Sequence, residues 1–592
     1  MNHLLPMFEK EQKTINEKIA EIRQKYHWPD TQLKWTNIPF SGQWGISTSF
    51  FELAKLVVGD QSSGKVGGVA QEIAEKIKDD LGSQPGFARI EATKGYLNLF
   101  FEPTLFATDI LNTILDLKDH YGDGESTGQT IMVEFSQPNT HKAFHVGHLR
   151  NMVLGNSICN LLEMAGNKVI RANYLGDIGL HVIIWLWNYM KLHNGEEPPE
   201  ENKTQWMGDL YAEGVRNMEA SPQNEVEVRE LFKRWDRRNK EIVSLWEKTR
   251  QWSLDAFNQV YSLMNIHFDE WYFESEVEKD GQELISRLIQ RGIAIDERPE
   301  GSVYVNIDKI LGSTEEYRTL VLLRSDGTSL YSAKDLPLAI KKFQQYNPDR
   351  SIYVIDVRQS LYMKQIFKIL ELMGYEWASQ CIHLAYEIVN MPGNVIIASR
   401  EGSVVLLEDL IREAEKRSLK IVEEKNPDQS QPIKQVIARM IALGAIKYSL
   451  LSRDNAKIIT FDWETALNVN GQAAPYIQYA GVRANSILRK VDYKIPQESS
   501  NSIELTPKEI SLIDLLSRFP QEVQRAAKEL KPLYITNLTF EMARAFNDFY
   551  TNCPVLQSEA DVRDFRIRLV AAFKQTIINA LGVLGIGVPE IM

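Results

Sequence analysis

The ten residues 141-HKAFHVGHLR-150 gather the groups in this chain best suited to phosphate or metal chemistry. His145 and His148 are three apart, so in a helix they share one face of the first turn, with Gly147 between them. A helix start offers free N–H groups and the positive end of the dipole, which attract anions. Gly147 lets a ligand approach the backbone closely. Imidazole N–H groups can donate to phosphoryl oxygens as charge develops, and Lys142 adds a cation in the same place. A zinc site would draw on His141, His145 and His148, but zinc needs three or four ligands and an ordered outer shell. No nearby Cys, Asp or Glu completes such a set, so no protein-bound structural metal is expected. A plain capped helix with exposed histidines remains, and the pattern alone does not separate it from the phosphate reading. A second phosphate candidate, 59-GDQSSGK-65, matches G-x-x-x-x-G-K, but Val66 stands where a hydroxyl would hold Mg²⁺, so it reads as a Gly/Ser turn.

The elements that must hold these residues follow from the apolar pattern. The run 131-IMVEF-135 suits a buried strand, a helix is expected from about Gly147 to Ala165, and 168-KVIRANYLGD-177 reads as another strand. Strand, loop, helix and strand make a βαβ unit, hence a parallel sheet. Upstream, residues 8–30 read as a helix, and short apolar runs from Leu33 to Phe101 suggest a small α+β domain. The polar stretch 118-KDHYGDGESTGQT-130 suits a linker. Residues from about 195 to 300 are charged and helical, an expected insertion. Sheet-like segments return at 319-TLVLLRSDG-327 and 351-SIYVIDV-357, and from about 432 onward the period is helical.

A chain of 592 residues exceeds one core and predicts three or more domains. With 44% apolar and 25% charged residues it has the composition of a globular protein. The longest apolar stretch, 179-GLHVIIWLWNYM-190, is short of the roughly 20 residues that span a bilayer. The N-terminus lacks a signal-peptide layout. The three cysteines, Cys159, Cys381 and Cys553, are far apart with no CxxC pair, which fits a reducing cytoplasm. The net charge of −12 argues against a chain coated in basic charge, although a local basic face can still bind phosphates.

The segment 145-HVGH-148 resembles the HIGH signature of class I aminoacyl-tRNA synthetases. The longer run 134-EFSQPNTHKAFHVGHLRNMVLGNSI-158, followed by 174-YLGDIG-179, resembles the arginyl-tRNA synthetase family in particular. The blocks 95-GYLNLFF-101, 324-RSDGTSLYSAKD-335, 474-APYIQYAGVRANSILRK-490 and 580-ALGVLGIGVPEIM-592 are similar to further parts of that family, in order along the chain. The resemblance implies an α/β fold: a Rossmann-type parallel-sheet catalytic domain with an N-terminal α+β domain and a C-terminal all-α anticodon-binding domain. The expected bounds are 1–121 for the N-terminal additional domain, 122–430 for the catalytic domain with a helical insertion at about 190–300, and 431–592 for the anticodon-binding domain.

The implied reaction consumes ATP, carried with Mg²⁺, to form arginyl-adenylate, then moves the arginyl group to tRNA(Arg). A cytoplasmic monomer with no membrane contact is implied. By family position, Glu134, Tyr331 and Asp335 would hold the guanidinium of L-arginine, and Asn139 and Gln365 its amino and carboxylate end. A buried guanidinium has five donors and a fixed charge, so it needs carboxylates. His145, Gly147, His148 and Ser399 would bind ATP, with His145, His148, Lys142 and Arg400 catalytic. Tyr96 and Asn98 match a segment that touches the tRNA D-loop, and Tyr476, Gln478 and Arg483 would lie near the anticodon stem.

The chain departs from the family at several positions. The second class I signature, KMSKS, should fall near 394-NVIIASREGSVVLL-407, where Ile396, Ile397, Ala398 and Ser399 replace Lys-Met-Ser-Thr and Glu401 replaces a lysine. Lys142 matches the position just upstream of HIGH where many arginyl enzymes carry a compensating lysine, and Arg400 can assist. Gln137, Asp356-Val357-Arg358, Ile178 and His181 also differ from the usual residues of the expected adenosine and arginine pockets. Two alternatives accompany the main expectation: a paralogue that activates arginine for another acceptor, and a catalytically weak tRNA-binding protein.

Overall fold

In 96-YLNLFF-101, Leu97 and Leu99 are fully buried while Tyr96 faces outward, so the segment forms a strand with one apolar face. The computed structural model describes residues 9–38, 43–59, 65–391, 395–396, 406–497 and 503–592. Its first unit runs α1 (Glu9–Lys25), β1 (Trp35–Asn37), β2 (Gly45–Ser49), α2 (Phe51–Val58), α3 (Val66–Leu81), β3 (Phe87–Thr93), β4 (Tyr96–Phe101) and α4 (Pro103–Leu117). The four strands form an antiparallel sheet in the order β1-β2-β4-β3. Helix α1 ends at Lys25, short of the expected residue 30, because His27 adopts φ 55° and Pro29 follows Trp28. The G-x-x-x-x-G-K stretch lies between two helices and lacks the preceding strand of a P-loop; residues 60–64 of it fall outside the described residues.

The expected linker is docked. Tyr121 is buried, donates its hydroxyl to the Leu516 carbonyl at 2.9 Å, and lies 6.0 Å from the Phe519 ring. An aromatic side chain inside a polar stretch found an apolar seat among C-terminal helices, which composition could not show.

The central unit runs β5 (Thr130–Glu134), α5 (Val146–Met164), β6 (Lys168–Leu175), α6 (Leu180–Leu192), α7 (Lys203–Glu219), α8 (Pro222–Asp236), α9 (Lys240–Leu263), β7 (Glu270–Phe273), α10 (Glu274–Gln290), β8 (Ile295–Asp296), β9 (Val303–Asn306), α11 (Ile307–Leu311), β10 (Thr319–Leu323), α12 (Ser332–Tyr346), β11 (Arg350–Asp356), α13 (Ser360–Leu372) and β12 (Cys381–Tyr386). Five strands form one sheet in the order β12-β11-β5-β6-β7, and every pairing is parallel. From β5 the chain moves through α5 to β6, and from β11 it moves the other way through α13 to β12. The order therefore reverses between β5 and β11, and ligands of open α/β sheets bind at the strand ends of such a switch point.

One expectation needs correction here. The segment from 195 to 300 is not wholly a helical insertion, because 270-EWYF-273 pairs with β6 as the outermost strand of the sheet. Only α7, α8 and α9 make up the helical insertion; Asp177 ties α9 back by accepting from Arg250 at 2.9 Å and holds the start of α10 by accepting from the Ser275 hydroxyl at 2.6 Å. The sheet-like run at 319–323 is a strand as expected, in a separate antiparallel sheet, β10-β9-β8.

The last unit runs β13 (Val389–Met391), β14 (Val395–Ile396), α14 (Leu407–Lys425), α15 (Gln431–Leu451), β15 (Ile459–Thr460), α16 (Trp463–Ala466), α17 (Ala474–Arg489), α18 (Pro507–Ser517), α19 (Phe519–Glu529), α20 (Leu533–Asn552) and α21 (Ala560–Val583). Pro507 at the first helical position and a Thr506–Glu509 capping box start α18. Buried Lys447 of α15 donates to the carbonyls of Met264 at 2.7 Å and Gly585 at 2.6 Å, joining the helical unit to the end of α9.

Helix α5 meets the sheet at Gly155, where a Cβ would overlap the buried Phe135 side chain. Gly155→Ala is expected to destabilise the protein by about 1–3 kcal/mol through overpacking, read as a lower thermal midpoint in calorimetry; an unchanged midpoint would show that Phe135 can yield.

Candidate active site

At the switch point the chain leaves β5 through a constrained turn. Ser136 and Gln137 both take positive φ, 76° and 50°, which costs energy for residues with a Cβ. Surrounding groups hold the turn. The Ser136 hydroxyl lies 2.7 Å from the Tyr261 hydroxyl, the Ser136 N–H donates to Asn151, and the Gln137 N–H donates to Asn173 at 3.1 Å. Asn151 also donates to the Val354 carbonyl of β11 at 2.8 Å, fixing the two strand ends across the switch.

The turn delivers His145 to the N-cap of α5. Its Nδ1 accepts from the Gly147 N–H at 3.1 Å, and the His145 N–H donates to Nδ1 of His148 at 3.2 Å. A Cβ on residue 147 would stand 2.8 Å from the His145 ring. The two rings are 3.9 Å apart. Burial, with the charges of Lys142 and Arg358, pushes His145 down to about 4. Burial, with His145 and Lys142, holds His148 well below its ordinary value. Both rings are therefore neutral near pH 7, and with Nδ1 accepting in each, the proton sits on Nε2. The helix start thus presents two Nε2–H donors. His141 is not part of this pair: it is buried, and its ring nitrogens each lie 2.9 Å from a hydroxyl, of Thr140 and Thr249.

These histidines line a cleft of about 250 Å³ with Gln137, Gly147, Arg150 and Asn151 on one side and Asp356, Arg358, Gln359 and 386–389 on the other. Arg358 is gripped by Asp356, its Nε and Nη2 donating to the carboxylate at 2.8 and 2.7 Å. Lys142 stands nearby with its ammonium 4.8 Å from the Tyr211 ring of α7, and burial lowers its pKa. Ser399 and Arg400, and with them the KMSKS-like stretch, lie outside the described residues.

Beside the cleft is an acidic cluster, the acidic chamber, that reaches it through Gln137. Glu134 is buried and paired with the buried Lys342, and it also accepts from Gln137 Nε2 at 2.8 Å. Glu274 accepts from Lys334 at 2.9 Å. Asp335 accepts from the Tyr362 hydroxyl, and burial, with the charges of Glu134 and Glu274, raises it to about 7. The buried hydroxyl of Tyr174 and the buried Nε2 of His181 have no hydrogen-bond partner among the described residues. Burial, with Lys142 and Lys334, pushes His181 down to about 3. Asn139 bridges to Gly176, whose missing Cβ makes room for the Asn139 amide. Tyr331, 70% exposed, stands at the N-cap of α12, four residues before Asp335.

Several expected residues are placed otherwise. Glu134 carries an internal ammonium partner that the sequence did not reveal. Gln365 is buried and donates to the Tyr317 carbonyl at 2.6 Å, whereas Gln359, six residues earlier, lines the cleft. Gln478 is fully buried and braces the C-terminal segment through the Met440 and Gly587 carbonyls at 3.2 and 2.7 Å, so it offers no surface to an RNA. Tyr476 is partly buried and packs 5.6 Å from Phe540. Arg483 lies between the exposed rings of Tyr479 and Tyr550, at 4.8 and 4.7 Å, and donates to Asn547. On β4, Tyr96 is exposed and Asn98 accepts from the Ser47 hydroxyl at 2.7 Å. Arg358, Gln359, Glu274, Tyr174 and Tyr362 were not anticipated as site residues; only the Asp356-Val357-Arg358 departure hinted at the first.

A parallel sheet with a His-x-Gly-His helix start at its switch point defines the catalytic domain of a class I aminoacyl-tRNA synthetase. The model of the class I (R) tRNA synthetase catalytic domain matches residues 110–463, and that of the DALR anticodon-binding domain matches residues 477–592. An arginine–tRNA ligase of Bdellovibrio bacteriovorus is 34% identical over 530 residues, covering 87% of this chain and 89% of the relative. One from Treponema denticola is 35% identical over 509 residues, covering 84% and 85%. The Thermus thermophilus arginyl-tRNA synthetase structure superposes with a TM-score of 0.77 at 27% identity, covering 98% of this chain and 100% of that one. The chain belongs to the arginyl-tRNA synthetase family of class I.

The tautomers assigned above are open to measurement. Nitrogen-15 NMR at pH 6 is expected to show both His145 and His148 neutral and protonated on Nε2. A cationic ring at that pH would contradict the hydrogen bonding described.

Proposed function

We propose that the protein joins L-arginine to tRNA(Arg) in two steps: ATP and arginine form arginyl-adenylate and pyrophosphate, and the arginyl group then moves to the tRNA. One observation carries the choice of amino acid. In the acidic chamber three carboxylates, Glu134, Glu274 and Asp335, face two ammonium groups, Lys342 and Lys334. One negative charge is left over, and it falls on Asp335. A guanidinium brings one fixed positive charge and five donors, enough for Asp335 and for the unpartnered Tyr174 hydroxyl. Tyr331 would close the chamber over the side chain, while Asn139 and His181 would face the amino and carboxylate end.

The neighbouring cleft suits ATP. The Nε2–H groups of His145 and His148, the Gly147 backbone, and Lys142 would meet its phosphates. Magnesium would arrive on the triphosphate: Asp356 is occupied by Arg358, and no group of three His, Cys, Asp or Glu among the described residues could hold a metal ion. The roles of Ser399 and Arg400 in this reading rest on their sequence positions alone. The tRNA would run from the outward face of β4, at Tyr96 and Asn98, to the helical unit at Arg483 and Tyr476. The reading divides the chain at 1–121, 122–430 and 431–592, and takes the protein as a cytoplasmic monomer. Its three free cysteines are all buried, and no described helix is long and apolar enough to cross a membrane.

Arginine-dependent ATP–pyrophosphate exchange and tRNA(Arg) charging test the activity. Lys142→Ala is expected to lower kcat roughly 10²–10³-fold, as for loss of one preorganised charge, with arginine binding little changed. Absence of exchange by the wild type, with and without tRNA, would refute the enzyme reading, and exchange without charging would point to another acceptor.

Asp335 adds a pH signature. Its carboxyl is raised to about 7 in the empty protein, so below pH 7 it is protonated and neutral. Arginine binds the ionised form, and its affinity is expected to rise about tenfold per unit up to pH 7 and to level off above it. Calorimetric titration from pH 5.5 to 8.5 reads this directly, and Asp335→Asn should bind weakly with a flat profile. A flat wild-type profile would exclude Asp335 as the guanidinium partner.

A further inference from the structure

Among the described residues, three cations bear on the nucleotide cleft, and they are not equivalent. Arg150 is buried, and its guanidinium donates to four carbonyls, of Glu387, Ile388, Asn455 and Lys457, so its hydrogens are committed to the protein. Lys142 lies against the Tyr211 ring in surroundings that disfavour its charge. Arg358 differs from both. It sits in the first turn after β11, across the switch point from His145, with a side chain 76% exposed into the cleft region. Asp356 takes its Nε and Nη2 in a forked pair and also accepts the Arg358 backbone N–H at 2.8 Å. That clamp fixes the plane of the guanidinium and leaves Nη1 outside it. The Asp356 carboxylate holds Arg358 above its ordinary pKa, so the charge is permanent. Its effect reaches across the cleft, where it helps depress His145.

We infer that Arg358 is a catalytic residue that contacts the triphosphate of ATP and stabilises the charge that develops when arginine is activated. This rests on reading the cleft as the ATP site. In that step an arginine carboxylate oxygen forms a bond to the α-phosphorus. The bond from that phosphorus to the oxygen bridging to the β-phosphate breaks, and its electron pair leaves on pyrophosphate. Negative charge therefore grows on the leaving group. His145 and His148 are neutral and meet it with hydrogen bonds only. Arg358 supplies a full, pre-oriented positive charge that needs no reorganisation at the moment of transfer. The geometry explains why an aspartate and an arginine stand two residues apart at the end of β11: the carboxylate orients the cation and is not itself free for a ligand.

The test is pyrophosphate exchange into ATP with arginine and tRNA(Arg) saturating, comparing wild type, Arg358→Ala and Arg358→Lys. R358A is expected to lose roughly 10²–10³-fold in kcat, with the KM for arginine changed by no more than about twofold. R358K, which keeps the charge without the fork, is expected to exceed R358A by at least about tenfold. The inference is overturned if R358A runs within about threefold of wild type. It is also overturned if R358K is as slow as R358A, since the loss would then not follow the charge. A wild type that fails to exchange would remove the reading of the cleft itself, which separates that failure from the failure of the role given to Arg358.

Discussion

Arg150 projects from the second turn of α5 into a position where, among the described residues, its partners are carbonyls and not carboxylates. A buried guanidinium must find acceptors or lose its charge, and burial already lowers this one to about 10. It finds them in the carbonyls of Glu387 and Ile388, beyond β12, and of Asn455 and Lys457, at the entrance to the helical unit. One side chain thereby joins the helix that carries His145 and His148, the opposite wall of the cleft, and the C-terminal helices. Removing it would leave those four carbonyls without this donor and cut the tie between the two walls of the cleft.

The same economy of charge runs through the site. The histidines at the helix start are kept neutral by burial and by the cations around them, and each holds its proton on the outward nitrogen because the inward one accepts a backbone N–H. The cations divide into one that holds the structure, Arg150, one that is partly desolvated, Lys142, and one held by its own carboxylate, Arg358. The helices inserted between β6 and β7 enter this arrangement through Tyr211, whose ring lies against Lys142. The acidic cluster follows a parallel rule: two of its three carboxylates are neutralised by lysines, and the third, Asp335, accepts from the Tyr362 hydroxyl instead.

Much of this was legible in the residues. The βαβ unit, the helix start at 145–148 and the mostly helical stretch from about 432 onward follow from period and capping, because these are local properties. The strand 270-EWYF-273 was missed because four residues carry too little period to stand out between two helices. The docking of the linker at 118–130 was not legible because it rests on one tyrosine and on where the C-terminal helices lie. Gln478 was expected near the anticodon stem from family position alone; its burial depends on where the C-terminal segment lies.

The amino-acid sequence by itself determined the class of chemistry through the ordered blocks that resemble the family, since the histidines and glycine at 145–148 alone fit a plain capped helix equally well. It also determined which carboxylates and cations were available. Only the tertiary structure decided their partners. Lys342 reaches Glu134 from 208 residues away along the chain, and Arg150 reaches Lys457 across 307. Pairings at such separations have no local signature, because they are settled by how the sheet and helices pack. That packing is what leaves Asp335 as the unneutralised acid and sets Arg358 opposite His145.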